Sequence, residues 1–177
     1  PSGGGKDTVI AALLKKFKNS AKLITTTTRP PNRQGDQNGV TYYYVDKNTF
    51  EEKIKNQELV EHNFYAGNYY GVEKSELTNK LKNFEIVFSN VDVHGRRNLS
   101  QAGFKNLSIF LVPDSLPTLE NRIRGRSSVS ETELKSRIAA AKNEIESAGE
   151  YDFQTTNKDG QLSETIDNVA KIIENYI

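Results

Sequence analysis

The chain begins with Pro1-Ser2-Gly3-Gly4-Gly5-Lys6-Asp7-Thr8, a stretch that predicts most of a phosphate-binding loop running into a helix. The pattern of such a loop is G-x-x-x-x-G-K-[ST]. Gly5 and Lys6 match its last glycine and its lysine, the first glycine of the pattern falls before Pro1, and Asp7 replaces Ser or Thr. Glycines let successive N–H groups turn inward around an anion, and the following helix presents its positive end there. The stretch therefore predicts a nucleotide phosphate site, with a flexible Gly-Ser segment as the alternative.

The apolar run over residues 9–17 favours the phosphate loop over the flexible segment. Its spacing predicts a buried helix over 8–18 that starts where the loop ends. A loop of this kind normally follows a buried strand, so we expect a strand before Pro1. The first strand of the core is accordingly expected to be missing from this chain.

Composition excludes several classes of function. The 177 residues fit one domain, or a core with a small inserted lobe. A net charge of +1 gives no general attraction to nucleic acid or membranes. The chain contains no cysteine, so disulfides, thiolate metal sites and a cysteine nucleophile are excluded. No apolar run approaches the ~20 residues of a membrane helix. We therefore expect a cytoplasmic protein that binds neither nucleic acid nor membrane.

Alternating strands and helices predict an α/β fold with a parallel sheet covered on both faces. Strands are predicted at 22–24, 40–45, 58–65, 68–72, 86–91, 107–112 and 152–156, and helices that end near residues 18, 54, 81, 102, 124, 148 and 176. Asn48 and Ser130 open capping-box patterns at two of these helices. The tyrosine-rich segment 29–81 is expected to form a lobe inserted into a core of 1–28 and 82–177.

Four arginines gather in the second half of the chain. Arg122, Arg124 and Arg126 precede a run of small polar residues, and Arg137 lies in the next predicted helix. Phosphoryl transfer requires cations around the transferred group and a cover that excludes water. An arginine-bearing lid over about 124–138 meets both requirements. A solvated basic helix face is the alternative.

Polar residues of the inserted segment and of the strand that follows it are suited to a second nucleotide. A carboxylate such as Glu61 or Asp92 can accept hydrogen bonds from the N1–H and 2-amino edge of guanine. Tyr42 and Tyr70 can donate their hydroxyls to a phosphate. The alternatives are tyrosines in a half-exposed sheet, a surface glutamate and an N-capping aspartate.

In chain order, these stretches resemble the guanylate kinase family over the whole chain. The resemblance is carried by four stretches and two lid arginines: the loop at 1–6; Thr27-Thr28-Arg29 with Arg33, Gly35-Asp36, Gly39 and Tyr42; Gly67-Asn68-Tyr69-Tyr70-Gly71 with Glu61; Val91-Asp92-Val93-His94-Gly95; and Arg126 with Arg137. Four residues depart from the family pattern. Asn90 stands where the family usually has an acid, and His94 where it has Gln. Asp7 replaces Ser or Gly, and Val72 replaces a hydroxyl residue that helps to read the guanine O6.

The resemblance implies a P-loop kinase fold: a three-layer parallel-sheet core, an inserted mixed α/β GMP-binding lobe and a helical lid. It implies transfer of the γ-phosphoryl of ATP to GMP (and dGMP), giving ADP and GDP in purine nucleotide metabolism, with Mg²⁺ as cofactor. The implied ATP-binding residues are Ser2, Gly3, Gly4, Gly5, Lys6, Asp7, Thr8, Arg122, Arg126 and Asn157, and the implied catalytic residues are Lys6, Arg126 and Arg137.

The resemblance also implies the GMP site. Arg29, Arg33, Tyr42 and Tyr70 would bind the GMP phosphate, Glu61 and Asp92 the guanine N1 and 2-amino groups, and Thr25 the O6. No residue is implied as a direct metal ligand, although Asp7 could hold Mg²⁺ through water. A monomer or a homodimer is expected.

Two rival functions remain at this point. The first is a non-catalytic guanylate-kinase-like domain that binds phosphopeptides, which Lys6 and the lid arginines argue against. The second is a related kinase with another small phosphorylated acceptor such as ribose bisphosphate, which Glu61 and residues 67–71 argue against.

Overall fold

The computed structural model describes residues 1–32, 35–65, 67–125 and 130–177, which form two compact units. The first unit comprises Pro1–Lys16 and Lys105–Ile177, and the second comprises Phe17–Phe104. Compactness does not show which residues form a functional lobe. The division into a core of 1–28 and 82–177 and a lobe of 29–81 therefore stays a prediction.

The described residues form eight strands and seven α-helices that alternate along much of the chain. The strands are β1 Ser20–Lys22, β2 Thr26–Thr27, β3 Tyr43–Tyr44, β4 Leu59–Tyr65, β5 Asn68–Glu73, β6 Ile86–Phe88, β7 Ile109–Pro113 and β8 Phe153–Asn157. The helices are α1 Lys6–Lys16, α2 Lys47–Lys55, α3 Lys74–Asn83, α4 Val93–Gln101, α5 Leu116–Arg124, α6 Glu131–Glu146 and α7 Leu162–Glu174, with a 3₁₀ turn at Ser147–Glu150. Among them, no helix has both the length and the apolar character of a membrane span.

In the first unit, β7 and β8 pair in parallel, with Pro113 opposite Asn157. Parallel pairing agrees with the apolar composition of β7, because parallel strands are buried on both faces. Helix α5 packs on α6 through buried side chains that include Leu119, Ile123 and Leu134, and α1 packs on α7. The end of β8 is thereby fixed within a packed framework of helices.

The second unit contains a parallel pair, β1 with β6, and a mixed four-stranded sheet in the order β3-β2-β5-β4. Strands β4 and β5 are antiparallel, and Gly67 in the turn between them has φ +81°. Only glycine adopts this conformation without strain, and the predicted Gly67 turn is confirmed. A core cluster of Leu23, Val72, Leu77 and Leu99 holds the unit together.

Several predicted strands are wrong in their bounds. The strand predicted over 22–24 is Ser20–Lys22, and the strand predicted over 86–91 ends at Phe88. The strand predicted over 40–45 shortens to Tyr43–Tyr44, because the N–H groups of Val40 and Thr41 both donate to the carbonyl of Gln37 and close a turn. Conversely, the polar Thr26–Thr27 segment forms β2. The hydroxyl of Thr26 donates to the Glu73 carboxylate, and that of Thr27 donates to the Tyr69 carbonyl.

Helix caps follow the sequence with one exception. Ser130 caps α6 as predicted, accepting a hydrogen bond from the N–H of Glu133 at 3.2 Å. The capping residue of α2 is Asp46 and not Asn48, because the Asp46 carboxylate accepts from the N–H of Thr49 at 2.8 Å. Asp92 caps α4. Its carboxylate is therefore placed at the start of a helix.

We expect Phe50→Ala to destabilise the protein by about 3–5 kcal/mol, since it empties a fully packed site. The Phe50 side chain is 0% exposed and stacks on Tyr69 with ring centroids 5.2 Å apart. Phe64→Ala is the matched control, because Phe64 contacts the same ring but is 59% exposed. It should cost less than about 1 kcal/mol. Urea unfolding measures both free energies, and equal losses would contradict the expectation.

Candidate functional site

The N-terminal loop is a closed turn that leads directly into α1. The N–H of Gly4 and the ammonium group of Lys6 both donate to the carbonyl of Pro1, each at 2.9 Å. Helix α1 begins at Lys6, and the N–H of Val9 donates to the carbonyl of Gly5. The predicted order of loop and helix is therefore what the structure contains. Lys6 lies over the turn at the positive end of α1, as an anion site requires.

Two glycines of the loop are sterically required. Gly3 has φ +77°, and a Cβ there would lie 3.0 Å from Cγ1 of Ile123. Gly5 has φ +87°, and a Cβ there would lie 2.4 Å from Nδ2 of Asn157. No real Cβ makes contacts as short as the second. The loop is packed against α5 and β8, which argues against the alternative of a flexible Gly-Ser segment.

Asn157 ties the loop to the end of β8. Its amide Nδ2 donates to the carbonyl of Gly4 at 2.9 Å, and its Oδ1 accepts from the hydroxyl of Thr165 at 3.2 Å. The side chain is only 4% exposed. Both ends of the amide are thus used in holding the loop. The implied contact of Asn157 with a nucleotide base stays a prediction.

The arginines of the predicted lid region have acidic neighbours. Arg122 Nη2 donates to the carbonyl of Asn157 at 3.3 Å and to Asp159 at 3.1 Å. This arginine therefore contacts the residue that holds the loop. Its Nη1 is buried and has no hydrogen-bond partner among the described residues. Arg137 is held by Glu133, one turn earlier on α6, at 2.6 Å. Arg126 and the lid segment 126–129 lie outside the described residues.

In the second unit, Arg29 lies in a cage of polar and aromatic side chains. Its two terminal nitrogens donate to the two carboxylate oxygens of Asp36, each at 2.8 Å, and Nη2 also reaches the hydroxyl of Tyr44 at 3.2 Å. The guanidinium lies 5.3 Å from the Tyr42 ring centre, in cation–π range. Arg29 is 5% exposed, so this bidentate partner offsets the cost of burying its charge.

The Tyr42 and Tyr70 rings meet edge to face, with centroids 6.1 Å apart. The structure therefore brings together three of the four residues implied for the GMP phosphate, while Arg33 lies outside the described residues. Asp36 and Tyr44 are additional members of the group that sequence reasoning missed. Asp36 stands in the matched stretch, yet nothing in its spacing from Arg29 shows that a loop folds back between them.

Glu61 is a buried carboxylate near a second one. Its side chain is 6% exposed, and its burial, aided by the negative charge of Asp92, raises the Glu61 pKa to about 7. A Cβ on Gly95 would lie 3.0 Å from Oε2 of Glu61, so glycine leaves room for the carboxylate against α4. Asp92 accepts from the N–H of Gly95 at 2.8 Å. The structure brings Glu61 and Asp92 close together, and their implied role in reading guanine stays a prediction.

The two positions implied for the guanine O6 have different environments. Thr25 is half-buried just before β2, and its carbonyl accepts from the N–H of Tyr43. Val72 is fully buried in the core cluster with Leu23, Leu77 and Leu99. Val72 therefore packs the core, and the role of Thr25 stays a prediction.

All described residues implied for ATP belong to the first unit, and all described residues implied for GMP belong to the second. The family profile described as "Guanylate kinase" matches residues 1–176. The chain belongs to the guanylate kinase family. The family resemblance seen in the sequence and the prediction of an ATP-dependent phosphotransferase are thereby confirmed.

Individual relatives of the guanylate kinase family agree with this assignment. The chain is 35% identical to the guanylate kinase of Chlorobium chlorochromatii, over 100% of this chain and 92% of the relative. It is 40% identical to that of a Nostoc species, over 90% and 79% of the two chains. The crystal structure of guanylate kinase from Anaplasma phagocytophilum is similar with a TM-score of 0.77 and 28% identity, over 98% of this chain and 81% of that one. The predicted P-loop kinase fold is confirmed.

We expect Glu61→Gln to stabilise the protein at pH 8 by up to about 3 kcal/mol, and by much less at pH 5. The pKa of Glu61 in the folded protein, about 7, lies above its ordinary value of 4.5. Protonation therefore favours the folded state below that ordinary value, and the contribution is lost as the pH rises through 7. The buried charge present at pH 8 is absent from the glutamine variant.

Urea unfolding at pH 5 and pH 8 measures this difference. Glu52→Gln, which changes an exposed carboxylate on α2, is the control and should give the same small change at both values. A stabilisation by Glu61→Gln that does not depend on pH would contradict the raised pKa.

Proposed function

We propose that this chain transfers the γ-phosphoryl group of ATP to GMP, giving ADP and GDP, and that dGMP is a second acceptor. The observation that carries the proposal is the family match over residues 1–176. Two features of the described residues support it. The first unit has a glycine loop with a lysine at a helix start, and the second has a buried arginine–tyrosine group beside a carboxylate pair.

In the proposed mechanism, the loop and Lys6 bind the ATP phosphates. The loop N–H groups and the positive end of α1 attract the phosphate oxygens. The ammonium group of Lys6 pairs with the negative charge of the β- and γ-phosphates. Asn157 keeps the loop in shape through its bond to the Gly4 carbonyl. Ser2, Asp7 and Thr8 are proposed to complete this site.

We propose Mg²⁺ as the cofactor, bound chiefly through the nucleotide. Among the described residues, no group of three or more histidine or acidic side chains is arranged to hold a metal ion. Mg²⁺ commonly takes one or two carboxylates together with substrate phosphates and water. Asp7, in the first turn of α1, is an acidic residue beside the loop and fits as a ligand through water. When bound, the ion offsets phosphate charge.

On the acceptor side, Arg29, Arg33, Tyr42 and Tyr70 are proposed to bind the GMP phosphate. Arg29 already has its guanidinium oriented by the two oxygens of Asp36. A preoriented arginine loses little freedom when the phosphate binds. We propose that Asp36 sets the direction of Arg29.

Glu61 and Asp92 are proposed to read the guanine base. Ionised Glu61 accepts from the N1–H and the 2-amino group, and Asp92 accepts from the 2-amino group. Adenine has neither donor at these positions, so the buried carboxylate of Glu61 would face the base without receiving its hydrogen bonds. Thr25 is proposed to face the O6. This pairing favours GMP over AMP.

The chemical step requires no nucleophile or base from the protein. A GMP phosphate oxygen attacks the γ-phosphorus, the new P–O bond forms, and the bond to the leaving ADP oxygen breaks. Positioning and cations lower the barrier. Arg122, Arg126 and Arg137 are proposed to stabilise the transferred group, and the lid over about 124–138 to exclude water.

Two further statements about the protein stay predictions. They are its cytoplasmic location and its existence as a monomer or homodimer.

An acceptor assay separates this function from its rivals. Coupled release of ADP is measured with GMP, dGMP, AMP and ribose bisphosphate, and phosphopeptide binding is measured in parallel. We expect rapid turnover with GMP, slower turnover with dGMP and little with the other two. Preference for ribose bisphosphate, or tight phosphopeptide binding without turnover, would overturn the proposal.

Lys6→Ala should lower kcat by about 100-fold or more, because it removes a charge already placed at the transferring phosphates. The matched control is Lys15→Ala, which changes an exposed lysine on the same helix. It should leave kcat within about twofold. Steady-state kinetics at saturating ATP and GMP give both values. An unchanged kcat for Lys6→Ala would remove the loop from the mechanism.

A further inference from the structure

We propose that Asn63 is a positioning residue for guanine recognition, which holds the carboxylate of Asp92 toward the 2-amino group of GMP. The proposal rests on the function proposed above, since it takes Asp92 as the acceptor for that group. Asn63 belongs to none of the motifs that carry the family resemblance. Its role is apparent only from its contacts.

Asn63 lies on the face of the sheet that carries the acceptor residues. Successive side chains of a strand point to opposite faces, so Glu61 and Asn63 of β4 share one face. In the antiparallel pairing, Asn63 is directly opposite Tyr70 on β5, and opposite residues also share a face. Asn63 therefore lies between the proposed guanine reader and the proposed phosphate ligand.

The orientation of the Asn63 amide is determined by its two hydrogen bonds. Its Oδ1 accepts from the N–H of the next residue, Phe64, at 2.8 Å. Its Nδ2 donates to Oδ2 of Asp92 at 2.5 Å. An amide flipped end for end would place an oxygen against a carboxylate and a nitrogen against an N–H, and both contacts would be lost. Asn63 can act on Asp92 in this orientation alone.

Asp92 is held through both of its oxygens. Oδ1 accepts from the N–H of Gly95 in the first turn of α4, and Oδ2 accepts from Asn63. A carboxylate held by one hydrogen bond can still rotate, whereas two hydrogen bonds from different elements fix its plane. Each oxygen keeps a second lone pair for a further donor. The carboxylate is thus fixed and still able to accept from a ligand.

The hydrogen bond from Asn63 also offsets part of the repulsion between the carboxylates of Glu61 and Asp92. Glu61 and Asp92 are close enough for the charge of one to act on the other. A hydrogen-bond donor offsets part of the cost of placing one carboxylate beside another. Asn63 supplies such a donor to one member of the pair. The expected consequence is selective: recognition of the 2-amino group depends on Asn63, whereas recognition of the rest of the nucleotide does not.

Inosine monophosphate (IMP) tests this selectivity, since it is GMP without the 2-amino group. We expect Asn63→Ala to raise the KM for GMP about five- to tenfold and the KM for IMP less than about twofold. The kcat with GMP and the KM for ATP should stay within about twofold. His62→Ala, a neighbouring exposed residue on the opposite face of β4, is the matched control and should change none of these values.

Asn63→Asp is the second variant, because it keeps the size of the side chain and removes its donor. It should lower the preference for GMP over IMP at least as much as Asn63→Ala does. Far-UV circular dichroism and thermal unfolding establish that each variant is folded. Retention of the wild-type preference by a folded Asn63→Asp variant would overturn the proposal.

A double-mutant cycle with Asp92→Asn separates this proposal from the one on which it rests. Asp92→Asn alone should lower the preference for GMP over IMP about tenfold, the remainder being due to Glu61, and adding Asn63→Ala should then change the KM for GMP less than about twofold. If Asp92→Asn leaves the preference intact, the proposed role of Asp92 fails and this inference fails with it. If Asp92→Asn has its effect but Asn63→Ala changes GMP and IMP equally, only the role of Asn63 is overturned.

Discussion

The structure depends on hydrogen-bonded partners for the buried and half-buried charged side chains of the candidate site. Burying an ion is costly unless it has a partner of opposite charge or a set of hydrogen bonds. Arg29 has Asp36 and two tyrosine rings. Asp92 has Asn63 and the start of α4. Because each partner comes from a different loop or strand, the fold and the charges support one another.

For Glu61, the effect of burial appears in its pKa. Its burial and the nearby Asp92 raise its pKa to about 7, so Glu61 holds its proton more strongly than an ordinary glutamate does. In the proposed function, a guanine edge that donates two N–H groups would stabilise the ionised form of this buried carboxylate. Local instability of this kind is common at functional sites.

The phosphate loop depends on close contacts between its backbone and neighbouring side chains. Its glycines allow the backbone to approach Ile123 and Asn157 more closely than a side chain would permit. Asn157 in turn is fixed by Thr165 on α7, and Arg122 donates to its carbonyl. The loop is thus held by the end of β8 and by two helices. In the proposed function, a loop that is already ordered loses little conformational freedom when ATP binds.

The sequence by itself determined the family and most helices and strands, because each depends on local pattern and spacing. Gly5-Lys6, Gly67 with Tyr70, and the Ser130 cap are signals of this kind. The strand at Thr26–Thr27 was missed because the partners of its hydroxyls, Glu73 and Tyr69, lie far along the chain. The strand near residue 40 is shorter than predicted because a local turn at Gln37 replaces its first residues. Only the tertiary structure decided that Asp36 holds Arg29 and that Asn63 holds Asp92. The physical reason is that these bonds join elements separated by loops, and their geometry appears only when packing has fixed both ends.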